Sequence, residues 1–241
     1  MNGMTYTYTG GPNNTNINIS LTYAYRPMPK SQFYYEARPG QLFYLAEFLT
    51  PTSYPVIQIA KEIPGQTLET VGPAIWSRVM SKIKYVLDRE QFNADEWFMF
   101  PFELLKSMKG DCEDSANLAA SLLIACGVTD AAVVYGTVVV DEGVYKHAWV
   151  EVGDTLIEAT LPRWDPKRRP PYYQPEWKVA WGFSYQVGMP KGYKFGVDMS
   201  VFGFAFGMNS NENEKPQKTG VPKLDPEALK RLHEKLEKEA T

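Results

Sequence analysis

Cys112, His147 and Glu158 are a thiol, an imidazole and a carboxylate, the groups that acyl transfer through a thioester requires. Within KGDCEDSANLAASLLIACG, Asp111 stands just before Cys112 as a helix N-cap, and Gly127 supplies an end residue tolerant of left-handed geometry. A helix is therefore expected between them, with Cys112 in its first position. There the partial positive charge of the helix N-terminus favours thiolate over thiol. Asp111, Glu113 and Asp114 oppose that shift, so the site also needs a positively charged partner.

The chain has only two histidines, and one lies in YKHAWVEVGDTLIEATL. The alternation of His147, Trp149 and Glu151 with Ala148, Val150 and Val152 has the period of a half-buried strand, and Leu156 to Thr160 continues it after Gly153 and Asp154. An even-length turn pairs Val152 with Thr155, Trp149 with Glu158 and His147 with Thr160. Glu158 then becomes the diagonal neighbour of His147, roughly 7 Å away at the backbone, within reach of an imidazole nitrogen. An odd-length turn would send Glu158 to the other face. With an even turn, His147 serves as base and Glu158 fixes its tautomer. The backbone N–H of Cys112 offers one donor to the developing oxyanion, and Gln91, Asn93 or Trp97 could offer a second, Trp97 being the named candidate.

Several elements must position these groups. PAIWSRVMSKIKYVLDRE has apolar residues at helical spacing with Pro73 at its start, and Pro101 and Gly110 bracket a shorter helix. AAVVYGTVVV is a buried strand that turns through Asp141 to Gly143 into the His147 strand, so three antiparallel strands are expected. The fold class is α+β, with the Cys-bearing helix packed on an antiparallel sheet. Residues 1–65 form an N-terminal segment of strands, irregular chain and one short helix packed on the core. Residues 66–208 form the core with an aromatic extension after Thr160, in which Trp164, Tyr172, Tyr173 and Trp177 either pack or rim the cleft, and VDMSVFGFAFGMN adds a further strand. Residues 209–224 have the polarity of a flexible linker. Residues 225–241 form an amphipathic helix capped by Asp225, whose Leu229, Leu232 and Leu236 stripe suits docking on a partner protein or on its own domain, with His233 facing away to solvent.

Composition narrows the function classes. At 44% hydrophobic and 22% charged, with a net charge of -3, the chain has one sizeable core and no general attraction for nucleic acid. No apolar run reaches the roughly 20 residues that span a bilayer, and the N-terminus lacks a signal core, so a cytoplasmic location is expected. Cys126 lies among aliphatics as a core residue, too far along the helix to bridge Cys112. Two cysteines and two histidines without C-x-x-C or H-x-x-x-H supply no zinc site.

GDCEDSANLAASLLIACG, then KHAWVEV, then DTLIEAT resembles the transglutaminase-like cysteine peptidase superfamily over roughly residues 73 to 161. The preceding EWFMFPFELLKSMKGDCED is similar to the approach found in bacterial transglutaminase-like proteinases. The resemblance implies a papain/transglutaminase-like core, Cys112 as nucleophile, His147 as base, and Glu158 where the family usually has Asp. It also implies hydrolysis of a peptide or amide bond in a protein or peptide substrate, with protein cross-linking as the variant reaction and no required cofactor. Asp111 and Glu113 look like an acidic pair that binds calcium in some of these proteinases; as residues alone their main reading is structural, capping the helix and solvating its first turn. The competing expectation is a catalytically inactive structural or protein-binding module on the same fold.

Overall fold

The computed structural model describes residues 4–6, 21–23, 34–141, 143–181, 183–186 and 222–239. Its centre is α5, Cys112–Ala125, and residues 112 to 124 of that helix are all buried. An Ala- and Leu-rich helix can be buried all round when neighbours cover every side. Here they do: α1 (Tyr54–Lys61), α2 (Leu68–Arg78) and α4 (Pro101–Ser107) pack on one side of it and a sheet on the other.

That sheet has six antiparallel strands in the order β10-β9-β8-β7-β11-β12. They are β7 (Ala131–Val140), β8 (Gly143–Val152), β9 (Thr155–Ile157), β10 (Pro166–Arg168), β11 (Tyr173–Ala180) and β12 (Phe183–Gln186). Gly153, at φ 56°, makes the β8–β9 turn, a conformation that suits glycine. The turn has two residues, so Val152 faces Thr155 and Val150 faces Ile157, the register expected from the alternation. Ala148 and Val150 join the core around α5, while Trp149 joins a second core on the opposite face.

The N-terminal part contains β1 (Met4–Tyr6) paired with β2 (Leu21–Tyr23), and the hairpin of β3 (Tyr34–Arg38) and β4 (Gln41–Tyr44). Phe98 N–H donates to the Ala37 carbonyl at 2.8 Å, tying β3 to the segment leading into α4. A two-residue parallel pairing joins β5 (Lys84–Tyr85) to β6 (Lys109–Gly110), and α3 (Asp88–Gln91) follows β5.

Three expectations change. The helix expected from Pro73 starts earlier, at Leu68 behind a Thr67 capping box, and ends at Arg78; Pro73 lies inside it. The aromatic extension after Thr160, expected to pack or to rim the cleft, joins the sheet itself as β10, β11 and β12. The last residues of the expected linker, Pro222 to Leu224, run along β8, and Leu224 is fully buried. The stripe of α6, Pro226–Glu239, takes one of its two expected places, its own domain: Ala228, Leu229, Leu232 and Leu236 cover the Trp149 face of the sheet. Residues 209–221 of the linker and the strand expected in VDMSVFGFAFGMN lie outside the described residues.

Candidate active site

The start of α5 is fixed by carboxylates acting as caps. Asp111 and Asp114 form a reciprocal capping box, with Asp111 N–H donating to Asp114 Oδ2 at 3.3 Å. The other Asp114 oxygen accepts from Met99 N–H at 2.7 Å, which holds the incoming segment against the helix. Cys112 follows the cap, only 2% exposed. Its thiol donates to Glu113 Oε2 at 3.3 Å, and the neighbouring Ala148 peptide N–H favours the thiolate. Burial, then the charges of Glu113 and Asp111, push the thiol well above the ordinary cysteine range. In this state Cys112 is a thiol.

The positive partner required by these acids is Lys223. Its ammonium donates to Glu113 Oε1 at 2.6 Å, Asp88 Oδ2 at 2.8 Å and Asp111 Oδ2 at 3.0 Å, and pairs with Glu96 Oε2 at 3.2 Å. Burial works against its charge, but Asp111, Glu113, Glu96 and Asp88 raise its pKa well above the lysine value. Asp88 also accepts from Trp97 N–H at 2.6 Å, and its pKa is pushed up to about 7 by burial and by Glu113. Two carboxylate groups, Asp88 with Asp111 and Asp114 and Asp88 with Glu96 and Glu113, each bring oxygens close enough together to hold a metal ion, the donor chemistry calcium takes. Lys223 already stands among four of them, so a dication would have to take the ammonium's place.

On the opposite face of β8, His147 and Glu158 form the second half of the site. His147 Nε2 meets Glu158 Oε2 at 2.7 Å, both side chains fully buried. Tyr173 donates its hydroxyl to the same oxygen at 2.7 Å, while Thr160 donates to Glu158 Oε1 through Oγ1 at 2.7 Å and through N–H at 3.1 Å. Burial pushes the Glu158 carboxyl up, but His147, then His233 and the Thr160 hydrogen bond, bring it down to about 2. The ladder ends at Ile157, one residue before Glu158, yet the even turn delivers its side chain to the imidazole. The remaining ring nitrogen, Nδ1, is buried without a hydrogen-bond partner among the described residues.

The sequence-selected residues are therefore gathered in two steps. His147 and Glu158 are bonded directly. Cys112 abuts the peptide that follows His147, but its proton is directed to Glu113 and not to the ring. Trp97 stacks on Phe92 with ring centroids 5.1 Å apart, and the Arg38 guanidinium lies over it at 5.1 Å, the contacts of a packed aromatic. Cys126 is buried in the α5 core. His233, expected at the surface, is partly buried and shares a 3.1 Å hydrogen bond with Thr160 Oγ1; burial lowers its pKa.

Lys223, Asp88 and Glu96 were not legible as site residues, and Tyr173 was legible only as one of four aromatics that either pack or rim the cleft. Asp88 and Glu96 sit beside charged surface residues, Tyr173 is one aromatic among many, and Lys223 stands in a polar stretch with no period. The demand for a cation beside three acids was the one available signal.

Residues 57–164 match the family model described as the transglutaminase-like superfamily. Similar solved structures include Legionella pneumophila LapG after EGTA treatment, 12% identical over 60% of this chain and 84% of that one with a TM-score of 0.44. The calcium-bound form of Legionella pneumophila LapG is 15% identical over 57% of this chain and 79% of that one, also at 0.44. No curated protein matches the sequence. Among the described residues, no helix is long and apolar enough to cross a membrane.

Proposed function

We propose that this chain, a member of the transglutaminase-like superfamily through residues 57–164, is a thiol-dependent acyl-transfer enzyme that hydrolyses peptide or amide bonds with Cys112, His147 and Glu158. The supporting observation is the division of labour on one imidazole: Nε2 is committed to Glu158 and Nδ1 is unpartnered. A ring held this way can take a proton at one nitrogen only.

In the reaction, Nδ1 takes the Cys112 proton and the sulfur attacks the carbonyl carbon. The oxyanion faces the Cys112 backbone N–H at the helix start, a group without an intrahelical acceptor. The C–N bond breaks as His147 passes its proton to the leaving amine. Water, deprotonated by His147, then cleaves the thioester and frees the acid and the thiol. The thiol must first leave its bond to Glu113, so the closed state described above precedes catalysis. Hydrolysis is favoured over transamidation because water needs no dedicated binding site. A reducing, cytoplasmic compartment suits this reading, since both cysteines are free.

The closed thiol favours one competitor, a binding module that kept the fold without the chemistry. Incubation with a complex peptide mixture, read by mass spectrometry for new termini, separates the two. The full chain is tested alongside Leu232→Asp, which loosens α6 from the sheet. The enzymatic reading predicts new termini that vanish in Cys112→Ala and fall by about a thousandfold in His147→Ala. No cleavage by either parent chain would favour the binding module.

A further inference from the structure

Among the described residues, the short β9 leaves the β8 edge from Gly143 to Trp149 without a strand neighbour, and Pro222–Leu224 runs along that gap. Lys146 N–H donates to the Pro222 carbonyl at 2.8 Å, and Leu224 N–H donates to the Lys146 carbonyl at 3.1 Å. Alternate residues of a strand direct their peptide groups to the same edge. Lys146, Ala148 and Val150 therefore share one edge: Pro222–Leu224 occupies it at Lys146, the Cys112 sulfur at Ala148, and β9 at Val150. An extended segment of this chain lies immediately beside the sulfur. Tyr85 fixes it by donating its hydroxyl to the Leu224 carbonyl at 2.6 Å.

Lys223 is the side chain that this segment delivers. Four carboxylates surround its ammonium, the side chain is 15% exposed, and Phe98 presents its ring 5.9 Å from the nitrogen. Oxygens arranged around a point charge suit a lysine, whose three donors rotate freely, better than the planar fork of an arginine. The cluster has further capacity, because Asp111 Oδ1 is fully buried without a hydrogen-bond partner among the described residues.

We infer that the β8 edge is a peptide-docking strand and that Asp88, Glu96, Asp111 and Glu113 form a subsite for the lysine side chain of an extended substrate, occupied here in cis by Pro222–Leu224. The inference rests on the thiol reading of the site. Backbone pairing supplies affinity and the acidic pocket supplies selectivity, the usual division when a peptide adds to a sheet edge. With the strap seated, Cys112, His147 and Glu158 are 2%, 3% and 1% exposed, so a substrate must displace it. The bound amine is a recognition element and not an acyl acceptor, because an ammonium held by carboxylates has no lone pair for attack.

Alkylation of Cys112 by iodoacetamide, followed by peptide mapping with Cys126 as internal reference, tests this in the full chain. Leu232→Asp releases α6, and hydrogen exchange over 226–239 verifies the release; Lys223→Met is a second route that leaves the Leu232 core intact. Either variant is expected to speed Cys112 labelling by about tenfold or more over the native chain. The peptide GVPKLD should slow it again, and the same peptide with norleucine for lysine should not. Fast labelling of the native chain, no acceleration despite verified release, or equal protection by both peptides would overturn the inference. Protection that requires lysine, with no peptide cleaved, would sink the hydrolytic reading and leave the docking edge. Cleavage indifferent to lysine would do the reverse.

Discussion

The Tyr173 hydroxyl stands 2.7 Å from Glu158 Oε2, the same oxygen that His147 Nε2 meets at 2.7 Å. Tyr173 thus acts on the site through Glu158, as a positioning residue. Tyr173→Phe removes one buried donor and keeps the ring that packs edge-on against Trp149. The expected result is a fold destabilised by about 1 kcal/mol, with activity lowered chiefly in kcat. A change confined to KM would place Tyr173 in substrate binding instead.

Glu158 is where this chain departs from the acid expected by resemblance, and the structure supplies a reason for the longer side chain. Its two oxygens span His147 and Tyr173 on one side and Thr160 on the other. Glu158→Asp shortens that span and should retain part of the activity, whereas Glu158→Gln loses the charge facing His147 and should cost about a thousandfold in kcat. Steady-state rates on any substrate found for the native chain check the order. A Gln variant as active as the native enzyme would remove Glu158 from the mechanism.

The acidic pocket should give stability a pH dependence of definite sign. Asp88 is raised to about 7 in the fold by burial and by Glu113, above its unfolded value of 3.8. A raised folded pKa means that the folded state holds the proton more tightly. Its contribution is complete below 3.8 and is lost as pH rises through 7. Glu158 has the opposite sign: lowered to about 2 from 4.5, it stabilises above 4.5 and loses its contribution as pH falls toward 2. Thermal unfolding should therefore show Tm falling between pH 5 and about 8, with a smaller fall in Asp88→Asn. An unchanged slope in that variant would assign the dependence to other groups.

Packing around α2 makes a separate prediction. A Cβ added at Gly72 would collide with the six-membered ring of Trp164, which packs edge-on against Trp76 with ring centroids 4.8 Å apart. Gly72→Ala should destabilise the fold by about 1 to 3 kcal/mol despite the better helix propensity of alanine. Chemical denaturation measures it directly.

The parts legible in advance were those whose physics is local. The cap at Asp111, the left-handed Gly127 and the period-two alternation of β8 fix the ends of α5 and the register of the hairpin without reference to the rest of the chain. The N-terminal boundary of α2 was misplaced because Pro73 resembles a first-turn residue, while the Thr67 capping box that starts the helix carries a weaker local pattern. Lys223 and His233 were misread for another reason. Their partners lie 110 and 73 residues away in sequence, and no local period records such a contact. Of the strands after Thr160, β10 and β12 are the two edges of the sheet and β11 lies one strand in with a bulge at Pro175, so proline and charge interrupt the alternation that marks a central strand.

The pairing of Cys112 with His147 is the central claim, and the pH dependence of Cys112 alkylation in Leu232→Asp tests it most directly. If the imidazole takes the thiol proton once the site is open, the rate should rise with a midpoint well below the ordinary cysteine value of about 8.5, and His147→Ala in the same background should move it back up. A midpoint at or above the ordinary value, unchanged by His147→Ala, would contradict the account.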